Sequence, residues 1–104
     1  MVNGTVKIEP DVAAYISDVR SAMPIERIVL FGSRANGTAT NLSDYDLCFF
    51  SDSFENQRRV DIRFKLLQIA RKYPCVIEPH VFTVTEITRG NPFVDEIMRT
   101  GIDV

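Results

Sequence analysis

The chain has no tryptophan, five glycines, one histidine and two cysteines in 104 residues, and the last two scarcities close off classes of protein. A lone histidine, His80, cannot anchor a histidine-rich zinc site. Cys48 and Cys75 lack the Cys-x-x-Cys spacing of a zinc ribbon or redox motif, and two cysteines make no disulfide framework. Both lie in apolar runs and read as buried thiols of a reducing compartment. No apolar run approaches the ~20 residues of a membrane span. No apolar segment follows a basic start, so a signal peptide is not expected and a cytoplasmic setting is. An excess of positive charge is also missing. Twelve basic residues face fourteen acidic ones, a net charge of -2 that argues against broad nucleic-acid binding. What remains is 45% hydrophobic and 25% charged, ordinary for a folded domain. The length fits a single domain over residues 1–104 with no linker or repeat. Nine of the twelve basic residues are arginine, a side chain suited to phosphate and carboxylate.

Local signals order the chain into alternating elements. Pro10 suits the first turn of a helix, and Val12, Tyr15, Ile16 and Val19 give it one apolar face before Pro24 ends it. Residues 27–31 form a short β-branched and aromatic run, read as a buried strand. A Gly-, Ser-, Thr- and Asn-rich stretch follows over 32–43, then a second strand over 44–50. Ser53 is a plausible N-cap for a long helix reaching about Tyr73, with Val60, Phe64 and Leu67 on one face. Its acid-first pairs Glu55–Arg59 and Asp61–Lys65 are each worth only ~0.2–0.5 kcal/mol. A third strand spans 75–82, where Pro79 favours a sheet edge or a bulge. Asn91, Pro92 and Gly101 mark the start and end of a last helix. The predicted class is α/β (α+β): a small mixed or antiparallel sheet with helices mainly on one face.

Chemistry concentrates between Phe31 and Leu47. Gly32-Ser33 follows a strand where a short helix can begin. Unpaired N–H groups, a close-approaching glycine and a hydroxyl there suit a phosphate, although a plain capped turn looks the same. Asp44 and Asp46 alternate with Tyr45, which places both carboxylates on one face and Tyr45 in the core. Two like charges a few ångströms apart call for a cation, unless the pair simply faces solvent. Hard divalent ions take oxygen ligands and leave positions open for substrate phosphates. On the third strand Val76, Glu78 and His80 share one face, with Ile77, Pro79 and Val81 on the other.

Gly32-Ser33, ten intervening residues and Asp44-x-Asp46, with Gly37 and Ser43 between, resemble the minimal nucleotidyltransferase family of the DNA polymerase β superfamily, antitoxin type. The resemblance extends over most of the chain and implies a polymerase β palm-like fold. It implies Mg²⁺-dependent transfer of a nucleoside monophosphate, AMP from ATP, to an acceptor hydroxyl. Asp44, Asp46 and Glu78 would be the catalytic and metal-binding carboxylates, serving two Mg²⁺ ions. Glu78 stands where many members carry aspartate, and its role is either metal ligand or proton acceptor. Gly32, Ser33 and Arg34 would hold the triphosphate. The resemblance also implies a HEPN-domain toxin partner, with a tyrosine of that partner as acceptor.

Two rivals remain: a binding subunit that neutralises its partner by contact, and nucleotidyl transfer to a small molecule in a pocket completed by a homo-oligomer. His80 reads as structural. Arg58, Arg59, Arg63 and Lys65 read as a solvated helix face balanced by Glu55 and Asp61.

Overall fold

The computed structural model describes residues 8–40 and 43–104. Helix α1 (Pro10–Ala22) leads into strand β1 (Arg27–Phe31), the single-turn helix α2 (Ser33–Asn36) and strand β2 (Tyr45–Phe50). A 3₁₀ turn (Asp52–Asn56), helix α3 (Arg59–Ala70) and strand β3 (Ile77–Phe82) follow. The short α4 (Thr85–Arg89), α5 (Pro92–Thr100) and β4 (Ile102–Asp103) complete the chain. The four strands lie in the order β3-β2-β1-β4. β1 runs antiparallel to β2 and β4, whereas β2 and β3 are parallel and joined through α3, so the sheet is mixed.

Period-two alternation divides the sheet residues between two faces. On one face Ile28, Leu30, Tyr45, Leu47, Phe49, Ile77 and Val81 pack beneath α1 and α3. The four apolar residues expected on α1 are all buried there, and Tyr15 donates to the Leu66 carbonyl at 3.0 Å. On the other face Val29, Cys48 and Phe50 are covered by Val94 and Ile97 of α5. That cover stops short of the first residues of β2 and β3, and the open strip carries the polar side chains.

The long helix expected from Ser53 to Tyr73 is interrupted. Gln57 and Arg58 are extended, and Ser51, not Ser53, caps the 3₁₀ turn by accepting from the Ser53 N–H. Phe54 explains the break. It is buried together with Ile62, Leu66 and Ala70, but at 100° per residue an unbroken helix would set it about 120° from the centre of their stripe. The buried stripe also differs from the expected one, because Val60 and Phe64 are exposed. Two apolar sets compete on this helix, and the contact with Tyr15 and β3 selects the second. With the helix broken, Glu55 accepts instead from Thr85 Oγ1 at 3.0 Å and Arg59 pairs with Glu86.

Other signals hold. Asn91 accepts from the N–H groups of Phe93 and Val94, and Pro92 opens α5. Pro79 sits on the edge strand, as expected, and its missing N–H lies on the unpaired side. On that side Arg63 donates to the Pro79 carbonyl at 3.0 Å and Arg59 to the Val81 carbonyl at 3.1 Å. Strand β3 begins at Ile77, and β2 begins at Tyr45, one residue after Asp44. Among the described residues no helix is long and apolar enough to cross a membrane.

Gly101 is a packing requirement. A Cβ there would stand 2.3 Å from Val29 Cγ1 and 2.6 Å from the Ile97 carbonyl oxygen. Gly101→Ala should therefore cost about 1–3 kcal/mol through overpacking. A thermal melt unchanged by the substitution would contradict this reading of the α5–β4 junction.

Candidate active site

The end of β1 and the beginnings of β2 and β3 meet at one place. Register pairing sets Phe31, Asp46 and Glu78 in a row across the sheet, with Asp46 in the middle. The next row sets Val29, Cys48 and His80 side by side. Asp44 stands two residues ahead of Asp46 and is exposed. Its negative charge reaches Asp46.

Chain reversal after β1 places Gly32 directly against this row. Gly32 has φ +75°, and a Cβ built on it would lie 2.5 Å from Asp46 Oδ2. The site therefore needs glycine twice, for its left-handed backbone and for room. Gly32 is itself the N-cap of α2, and its carbonyl accepts from the N–H groups of Ala35 and Asn36. Ser33 is then the first helical residue, half-buried beside the carboxylates' end of the sheet.

Burial raises the Asp46 carboxyl above its ordinary pKa of 3.8, with His80 opposing the shift and Asp44 and Glu78 adding to it. Partial burial of one carboxylate next to two others leaves negative charge that the fold does not fully neutralise. The donors are hard carboxylate oxygens. A magnesium-like ion commonly takes one or two such ligands and completes its shell with substrate phosphates and water. Asp44 and Asp46 fit that requirement. A preassembled protein cage is not present: among the described residues, no three Asp, Glu, His or Cys side chains are placed to hold a metal.

Glu78 shows why. Its Oε1 accepts from Arg63 Nη2 at 2.7 Å, which draws the carboxylate toward the outer edge of the sheet. Arg63 is expected on a solvated helix face, because no local signal ties it to a residue fifteen positions later. Arg34 does not join the carboxylates either. Its guanidinium lies 4.4 Å from the centre of the Tyr45 ring and donates twice to the Ser43 carbonyl, at 2.9 and 3.3 Å. Tyr45 is buried on the opposite face from Asp46, as its alternation requires. Arg34 thus braces the segment entering β2 and borders a cleft of about 420 Å³ with Glu9, Ser43 and Cys75.

His80 closes the lower end of the row. Its ring lies 5.1 Å from that of Phe31 and 5.6 Å from that of Phe93, centre to centre. Burial lowers its pKa from 6.5, while Asp46 and Glu78 act in the other direction. A neutral imidazole among aromatic rings agrees with the structural role expected for it. Phe93, the outer member of this wall, was not anticipated because it lies in a helix start far from the motif. Cys48 is fully buried, and burial pushes its thiol pKa well up, whereas Cys75 is only half-buried.

The site thus joins a glycine turn to paired aspartates on a small mixed sheet. The chain belongs to the nucleotidyltransferase domain family, whose match runs over residues 12–103. Domains of this family generally use a nucleoside triphosphate and a divalent metal. Among solved structures the chain is similar to a Sulfolobus solfataricus protein provisionally described as a nucleotidyltransferase. The likeness has a TM-score of 0.61 at 20% identity and covers 96% of this chain and 90% of the other. At that identity it carries the fold alone. No curated protein matches the sequence.

Proposed function

We propose that this protein is a minimal nucleotidyltransferase that moves AMP from ATP to an acceptor hydroxyl, with Mg²⁺ as its cation and a HEPN-domain protein as its partner in the cytoplasm. The observation that carries the reading is the contact between Gly32 and Asp46, with Asp44 ahead of it and Glu78 paired beside it. In the transfer, the acceptor oxygen forms a bond to the α-phosphorus. The bond from that phosphorus to the bridging oxygen breaks, and pyrophosphate leaves with the electron pair. The acceptor proton passes to Glu78 or to water.

Each residue has a defined task. Asp44 and Asp46 would ligate the cation, which when bound offsets charge on the triphosphate. Gly32 admits the phosphates close to the backbone, and the Ser33 hydroxyl donates to a phosphate oxygen. Arg34 keeps Asp44 in place through Ser43 rather than touching the triphosphate. The polymerase-β-type chemistry is supported by family membership and by this geometry.

The decisive experiment incubates the purified chain with a HEPN-domain partner, Mg²⁺ and each nucleoside triphosphate in turn. Intact mass should show an AMP adduct on the partner, with ATP and only when Mg²⁺ is present. No adduct with any nucleotide would overturn the enzymatic reading. The Arg63–Glu78 pair, which leaves the third carboxylate engaged, favours a second reading: a subunit that neutralises its partner by contact alone. That version predicts full neutralisation by the Asp44→Ala and Asp46→Ala variants.

A further inference from the structure

Two arginines of α3 grip the outer edge of β3, and the spacing of helix and strand explains how. Arg59 and Arg63 are four residues apart, a rise of about 6 Å along a helix. Pro79 and Val81 are two apart, about 6.6 Å along a strand. The two guanidinium groups therefore align with two successive outward carbonyls, Arg63 with Pro79 and Arg59 with Val81. Each arginine also takes one carboxylate: Arg59 pairs with Glu86 and Arg63 with Glu78.

The two carboxylates differ in how firmly they are held. The Glu86 side chain is 12% exposed and also accepts from Thr83 Oγ1 at 3.3 Å and Asn91 Nδ2 at 3.2 Å. It is a fixed node between α3, α4 and α5. The Glu78 side chain is 42% exposed and that of Arg63 46%, and Arg63 is the one side chain that hydrogen-bonds Glu78 among the described residues. An exposed ion pair of this kind is readily opened. Yet Glu78 is also the register partner of Asp46, so its released carboxylate lies on the face of the sheet where Asp46 stands.

We infer that Arg63 is a positioning residue that stores Glu78 at the sheet edge, and that a divalent cation recruiting Glu78 beside Asp46 must first displace the Arg63 guanidinium. This rests on the nucleotidyltransferase reading given above. It makes the site stepwise. Asp44 and Asp46 are available at once for a cation arriving with the nucleotide, while the third carboxylate joins only against competition. Arg63 stays anchored through the Pro79 carbonyl, so the released guanidinium remains at the edge and can recapture Glu78.

The test is titration of the full chain with Mn²⁺ and a non-hydrolysable ATP analogue, followed by the electron paramagnetic resonance of free Mn²⁺. Arg63→Ala should tighten the weaker Mn²⁺ step by up to about fivefold, the scale of an exposed ion pair. Arg63→Lys, which keeps the charge but loses the fork to carbonyl and carboxylate, should fall between. Combining Arg63→Ala with Glu78→Gln should erase the gain, because both changes act on one contact. The Mg²⁺ concentration for half-maximal activity should fall in Arg63→Ala as well. Thermal melts establish that each variant is folded, and Arg63→Lys carries the comparison if Arg63→Ala is not. Mn²⁺ binding by the wild type with equal or weaker binding by the arginine variants would overturn the role of Arg63 alone. No Mn²⁺ binding by the wild type would overturn the metal site and this inference together.

Discussion

Asp46→Asn should abolish nucleotidyl transfer and at the same time make the protein more stable at neutral pH. The two effects share one cause. Asparagine keeps the shape of the side chain but removes the charge that would hold a cation. Losing several kcal/mol of transition-state stabilisation corresponds to a rate loss on the order of 10³-fold. The stability gain follows from the raised pKa of Asp46, set first by burial and then by its acidic neighbours. A carboxyl with a raised folded pKa favours the protonated native state. Its favourable contribution is complete below the ordinary value of 3.8 and is lost as pH rises through the folded value. At neutral pH the ionised carboxylate therefore works against the fold. Replacing it should raise the melting temperature at pH 7, modestly because solvent screens much of the charge. The difference should shrink as pH falls below the carboxylate range. Differential scanning calorimetry of both proteins from acidic to neutral pH reads this directly. An Asp46→Asn variant that melts lower at pH 7 would contradict the electrostatic account, and one that retains near-wild-type transfer would contradict the catalytic one.

Gly32→Ala should be nearly as damaging to activity, and Gly37→Ala shows what part of the damage is strain. Both glycines have positive φ, +75° and +84°. Alanine costs roughly 1–2 kcal/mol in the αL region of Gly37 (ψ 7°) and more at Gly32, whose ψ of -154° places it in a region essentially reserved for glycine. The surroundings differ. A Cβ at Gly37 meets nothing within 4 Å, whereas at Gly32 it meets Asp46 Oδ2 at 2.5 Å. The group that must yield is the end of a flexible side chain, so the added folding cost is small, but that group is the central carboxylate. A displacement on the order of 1 Å at a reacting centre can reduce turnover about 10²-fold. The expected pattern is two variants with lowered melting temperatures, Gly32→Ala the lower, of which only Gly37→Ala keeps most of its activity. Equal activity in both would remove Gly32 from the site.

Much of this arrangement was legible because it is local. The Gly-Ser turn, the Asp-x-Asp alternation, the face shared by Glu78 and His80, and the caps Asn91 and Gly101 each depend on residues a few positions apart. Period-two geometry alone sends Tyr45 to the core and Asp46 to the open face. The features that were not legible depend on contacts distant in sequence. Val60–Phe64–Leu67 and Ile62–Leu66–Ala70 are both reasonable helical stripes, and only contacts with Tyr15 and β3, distant in sequence, distinguish them. The break at Gln57 and Arg58 comes from the direction in which Phe54 must point. Arg34 follows the Gly-Ser turn in sequence, yet the rotation of a single helical turn carries its side chain to the opposite face of the sheet. Arg63 became visible only once β3 lay beside α3.

The treatment of the sheet margins also limits how this protein can meet another. At one margin, proline removes a donor and two guanidinium groups occupy the carbonyls of β3; at the other, β4 is two residues long. Among the described residues, a foreign strand finds no continuous ladder to extend on either side. Side chains on helical surfaces remain as the contact such margins leave open, and among the described residues Val60 and Phe64 are the most exposed large apolar ones on helices. Recognition of that kind is set by shape and residue identity. Margins built in this way shield the sheet from the indiscriminate pairing that exposed backbone invites.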